Sequence, residues 1–171
     1  MTMEQLFDDS NVTLVLMKER DLAGQTKQVV SQFSGTKRIC VFAIAKPAAA
    51  LARELKSAGI KDEQLYFVDA VSKCAGVKPC SRIDAIEDLT DMSIAYTEAL
   101  RKGCDAGLLA ALAVLFSYVD EETLIKFIAA LSQKTRAQNT RLAILTLWDE
   151  KTHPVLREAF PFMDKILDLR A

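Results

Sequence analysis

Short apolar runs alternate with helix-spaced apolar positions along nearly the whole chain. The first run (Val12, Leu14, Val15, Leu16, Met17) is β-branched and aliphatic, as in a strand buried on both faces. A polar turn follows, and then a helical pattern that opens at Gly24-Gln25-Thr26 and carries Val29, Val30 and Phe33. The order repeats. Ile39 to Ile44 predicts a second strand, and a helix starts at Pro47, presents Leu51 and Leu55, and closes at Gly59. Leu65 to Val68 predicts a third strand, ending at Asp69. The stretch from Val71 to Asp88 mixes Gly, Pro, Ser and charges and reads as a long irregular connection. A helix is expected from about Thr90, with Met92, Ala95, Tyr96, Ala99 and Leu100 on one side and a stop at Gly103.

Ala106 to Phe116 is continuously apolar. Its first half reads as a central strand, although its alanines leave a helix open and periodicity does not decide between them. Asp120 has the position of an N-cap for a long helix with Leu124, Ile125, Phe127, Ile128 and Leu131 facing a core, stopped at Asn139. Arg141 to Leu147 predicts a further strand, Pro154 to Phe160 a short helix, and Lys165 to Leu169 an edge strand. Strands alternating with helices, with no linker or repeat between them, predict one α/β domain over residues 1–171. Its architecture is three-layered: a mostly parallel central sheet with helices on both faces.

Composition narrows the function. Half of the 171 residues are hydrophobic, and 22 basic residues nearly balance 23 acidic ones. Lys18, Lys27, Lys37, Arg38, Arg136 and Arg141 are dispersed among acids, so no stripe tracks a phosphate backbone and nucleic acid is not the expected partner. No apolar run approaches the roughly 20 residues that a membrane helix needs. The segment MTMEQLFDDS is acidic and lacks a signal-peptide core, so a cytoplasmic location is expected. Cys40 reads as a small buried hydrophobe. Cys74 and Cys80 are too widely spaced for a usual zinc pair, and His153 is the only histidine. Free thiols are expected there, with a disulfide as the alternative, and no metal or cofactor is expected.

Strand, turn and helix at Val12 to Phe33 are the setting of a phosphate loop. Laid on G-x-x-x-x-G-K-[ST], the chain reads Glu19-Arg20-Asp21-Leu22-Ala23-Gly24-Gln25-Thr26. The second glycine and the hydroxyl residue are present. Glu19 replaces the first glycine and Gln25 the lysine. Two carboxylates beside a polyphosphate repel it, and Gln25 carries no charge to offset them. The plainer reading makes Gly24 a turn glycine before an ordinary helix, with Thr26 near its cap.

With these segments in hand, the chain resembles the RecA-like ATPase core, and within it the KaiC/RadA-type P-loop proteins. LVLMKERDLAGQTKQVVSQF resembles the first strand, Walker A loop and following helix. ICVFAIAKPAAALARELKSAGI resembles the second strand and helix, DAGLLAALAVLFSYVDEETLIKFIAAL the Walker B strand and its helix, and FPFMDKILDL the closing segment. The resemblance implies that the Walker A lysine falls on Gln25, the magnesium-holding hydroxyl on Thr26, the Walker B aspartate on Ala110 (with Ala111 after it) and the catalytic glutamate near Ala45-Lys46. Residues 106–118 hold no acid apart from this alignment. Phosphoryl transfer depends on positioning and charge neutralisation. The resemblance therefore implies a pseudo-ATPase with no catalytic residues and a vestigial loop at Glu19, Gly24, Gln25 and Thr26, serving as a binding, regulatory or assembly module. By fold analogy its partners are further copies of itself or an active paralogue. The alternative is a small-ligand or nucleotide-binding protein or enzyme that reuses the crevice at the carboxyl ends of the strands, where Lys18, Glu19, Asp21, Lys46, Asp69, Trp148 and Asp149 fall.

Overall fold

The computed structural model describes residues 3–148 and 153–170. Seven strands form one sheet in the order β4-β3-β2-β5-β6-β1-β7, every neighbouring pair parallel. They are β1 (Val12–Met17), β2 (Ile39–Ala43), β3 (Leu65–Asp69), β4 (Cys80–Arg82), β5 (Ala106–Leu109), β6 (Arg141–Leu147) and β7 (Lys165–Asp168). The helices are α1 (Met3–Phe7), α2 (Leu22–Ser31), α3 (Ala48–Ser57), α4 (Leu89–Arg101), α5 (Leu112–Leu115), α6 (Glu121–Ala137) and α7 (His153–Ala159). Every residue of β1, β2, β3 and β5 is buried, because helices cover both faces of a parallel sheet.

Alternate residues of the central strands feed two cores. Leu14, Phe42, Tyr66 and Ile144 meet α4, α6 and α7 on one face. Val15, Val41, Phe67 and Leu145 meet α1, α2 and α3 on the other. Thus the three-layer α/β architecture expected from the alternation of elements is present. Residues 106–116 divide as a strand and a helix: β5 pairs with β2 and β6, and Leu112 then begins α5. Asp120 caps α6 by accepting a hydrogen bond from the Thr123 N–H at 2.7 Å.

Asp164 clamps the sheet at β1 and β7. One carboxylate oxygen accepts from the N–H groups of Asn11 and Val12, and the other pairs with Arg136 of α6 at 2.9 Å. These bonds, with that of the Arg136 guanidinium, outweigh the opposing effect of burial and hold the acid below its ordinary range.

Two elements depart from the sequence reading. Helix α1 was not anticipated; it buries Leu6 and Phe7, with Phe7 edge-on to Phe33 at 6.0 Å. The connection from Val71 to Asp88 also contains a strand, β4, which forms the sheet edge beside β3.

That edge corrects the expectation of free thiols, since Cys74 and Cys80 are joined in a disulfide with their Cα atoms 5.8 Å apart. The local cause is Asp69. Its buried carboxylate accepts from the N–H groups of Val71, Ser72 and Cys74 and from the Ser72 hydroxyl. Burial alone would raise its pKa, but these bonds together lower it. The turn folds Cys74 back in a left-handed conformation (φ 65°), and β4 brings Cys80 beside it. A bridge spanning six positions stabilises the fold by about 2 kcal/mol in the chain-entropy model. A dithiol reductant is therefore expected to lower the unfolding midpoint of the protein by roughly 4–8 °C, and not to affect a Cys74→Ser/Cys80→Ser variant. Calorimetry that finds no difference between the two would remove the bridge.

Candidate functional site

The carboxyl ends of β1, β2, β5 and β6 converge on one crest. A cleft of about 600 Å³ opens there and runs down between α2 and α3. Its floor is apolar, with Met17, Val41, Leu108 and Leu147. Leu22 and Val30 of α2 form one wall, and Leu51 and Leu55 of α3 the other. Several alanines also line the cleft, among them Ala23, Ala45, Ala110, Ala111 and Ala113. Small side chains at strand ends leave space that larger ones would fill, so the alanine-rich stretches after β2 and β5 have a steric consequence here.

The segment aligned with a phosphate loop borders this cleft. After β1 comes Lys18, then a 3-10 turn at Glu19–Asp21, and α2 begins at Leu22. Gly24 therefore lies inside the helix, two positions past its start. The turn uses its own donors: the Asp21 N–H reaches the Lys18 carbonyl at 3.4 Å, and the Leu22 N–H that of Glu19. A Cβ on Gly24 would lie 2.4 Å from an Asp21 carboxylate oxygen, so the glycine makes room for that acid over the first turn of α2.

Gln25, which the sequence resemblance set against the Walker A lysine, is 6% exposed. Its amide oxygen accepts from the Lys18 N–H at 3.1 Å, and its amide nitrogen donates to the Leu169 carbonyl at 2.5 Å. The side chain thereby ties the turn after β1 to the end of the edge strand β7. No local pattern signals this bond, because its partners are 144 residues apart. The Thr26 hydroxyl faces the Met17 sulfur at 3.7 Å and lines the cleft.

The other polar residues placed at the crest by the sequence do not gather into one site. Lys46 lines the cleft, but its ammonium pairs with Glu54 at 2.6 Å, both side chains being 54% exposed. Glu19 and Asp21 are exposed in the 3-10 turn and do not line the cleft. Asp69 is committed to the turn that carries Cys74. Trp148 stacks on Phe160 and lies under the Arg170 guanidinium, 4.9 Å from its ring centroid. Asp149 lies outside the described residues. His153 opens α7. Sequence reasoning placed Ala110 and Ala111 at the crest only through the family alignment, and missed that they help to form an apolar cleft.

No family model matches the chain, and no curated protein sequence matches it. Among solved structures, it is similar to a KaiC-like protein of the hyperthermophilic archaeon Pyrococcus horikoshii, with a TM-score of 0.67, 13% identity, 99% of this chain covered and 79% of the other. At that identity the likeness establishes the fold, which is of the KaiC/RecA type. Among the described residues, no helix is long and apolar enough to cross a membrane.

Proposed function

We propose that the chain is a non-catalytic domain of KaiC/RecA-type fold that works as a binding, regulatory or assembly module. The observation that carries this reading is Gln25. A phosphate loop presents a lysine and free backbone N–H groups to an anion. Here the residue on the lysine position is buried between the Lys18 N–H and the Leu169 carbonyl. The N–H groups of Lys18, Asp21 and Leu22 are already bonded within the protein. Two acids, Glu19 and Asp21, lie in the turn that precedes α2, and their negative charge disfavours a polyphosphate beside it. The Ala110 side chain has no oxygen to hold magnesium.

The expected result is an unchanged thermal unfolding midpoint with millimolar ATP, ADP or GTP plus magnesium. A nucleotide at about 100 times its dissociation constant would add about 2.7 kcal/mol, so binding at micromolar strength would be plain in such a scan. A saturable, magnesium-dependent rise sinks the proposal. Assembly with copies of itself or with a catalytically competent relative extends the same reading by fold analogy. A strictly monomeric protein at high concentration in sedimentation, with no partner captured, removes that extension. The second reading, a ligand site reusing the crest, is favoured by the apolar cleft.

A further inference from the structure

We infer that the crest cleft is a binding site for a small apolar molecule bearing a single anionic head group. This rests on the reading that the site does not take nucleotide. Pockets for small molecules are concave, measure some 300–1,000 Å³, and are lined mainly by apolar side chains with a few placed polar groups. The cleft has all of these properties at about 600 Å³. Its floor and walls are aliphatic, and the polar groups Thr26, Ser57 and Thr146 are few.

Charge selects the class of occupant. Three ionisable side chains line the cleft: Lys27, Lys46 and Glu54. Lys46 and Glu54 neutralise each other at 2.6 Å. Lys27 of α2 is exposed and lines the cleft, and among the described residues its ammonium has no hydrogen-bond or ion-pair partner. One uncompensated cation suits one carboxylate or sulfonate, and is far short of what a triphosphate requires without magnesium. The apolar interior rewards a hydrocarbon or aromatic body, whereas a ribose and polyphosphate would lose hydration there without replacement partners.

The test uses anilinonaphthalene sulfonate, an aromatic dye with one anionic group, titrated into the full chain with fluorescence as the readout. Saturable one-site binding is expected, with a dissociation constant on the order of 10 μM for a ligand of this size. Decanoate should displace it. Ala110→Phe, which adds a ring at a cleft-lining position, should weaken the dye by about tenfold or more while circular dichroism remains native. Ala23→Trp, at an exposed helical position that also lines the cleft, should do the same and serves as the second variant should Ala110→Phe fail to fold. Lys27→Glu should weaken the dye by about threefold at low salt and leave the uncharged phenylnaphthylamine unaffected, as an exposed charge contributes little. An unsaturable signal, or binding indifferent to both cleft-filling variants, overturns the inference. Equal effects of Lys27→Glu on the charged and uncharged dyes overturn the anionic head group. Displacement of the dye by magnesium-ATP overturns the non-catalytic reading and this inference with it. Absence of dye binding with nucleotide also inert overturns this inference alone.

Discussion

Gln25→Lys, which introduces the lysine that the proposed reading holds to be missing, is expected to lower the unfolding midpoint by roughly 10 °C and to confer no binding of magnesium-ATP. In the protein, Gln25 both accepts from the Lys18 N–H and donates to the Leu169 carbonyl. A lysine has three donors and no acceptor, so it can serve Leu169 but must abandon Lys18. An unsatisfied backbone donor costs about 1–3 kcal/mol, and placing an ammonium at a position only 6% exposed adds to that. A total of about 3 kcal/mol corresponds to the stated shift for a domain of this size. Gln25→Leu, which loses both bonds without adding charge, should fall by a similar amount. Isothermal calorimetry decides the functional half. If the lysine variant gains magnesium-dependent ATP affinity, the turn at Glu19–Asp21 opens readily and the proposed loss of nucleotide binding rests on one residue, not on the whole loop.

Truncating Tyr96 is expected to be the most damaging single change in the core, at about 4 kcal/mol for Tyr96→Ala. The ring is fully buried under the sheet, with its centroid 5.5 Å from that of Phe42. It also lies over Gly107 of β5, where a Cβ would come within 2.9 Å of the ring. The bare glycine backbone and the tyrosine are thus mutually fitted, and removing the ring opens a cavity at the middle of the sheet. Its hydroxyl is bonded to Thr135 Oγ1 at 2.6 Å, and Thr135 donates its own proton to the Leu131 carbonyl. Tyr96 is therefore the donor between the two hydroxyls. Tyr96→Phe removes only that donor, so about 1 kcal/mol is expected. Urea unfolding of the two variants separates ring from hydroxyl, and equal losses would refute the assignment of most of the effect to packing.

Much of the element order was legible because each element declares itself locally. Strands buried on both faces read as unbroken apolar runs, as at Val12–Met17, and the Asp120 cap lies three residues from the N–H that it satisfies. Helix α1 was not legible: five residues are too short for a periodic signal, and Leu6 and Phe7 acquire meaning only against the sheet. Ala106–Leu109 was ambiguous for a related reason. Its sequence suits a buried helix or a buried strand, and pairing with β2 and β6 settles which one forms.

At the crest the division is sharper. By itself the sequence determined side-chain chemistry: Glu19 brings negative charge, Gln25 an uncharged amide and Ala110 no polar side chain, and their match to ATPase positions belongs to the proposed reading. Only the tertiary structure decided what those positions do instead. Gln25 reaches a carbonyl 144 residues away, Cys74 meets Cys80 because β4 lies beside β3, and alanines from widely separated segments border one cleft. The physical reason is common to all three. Side-chain chemistry is a property of the residue, whereas hydrogen-bond partners, bridges and empty space depend on which distant segments the sheet brings together.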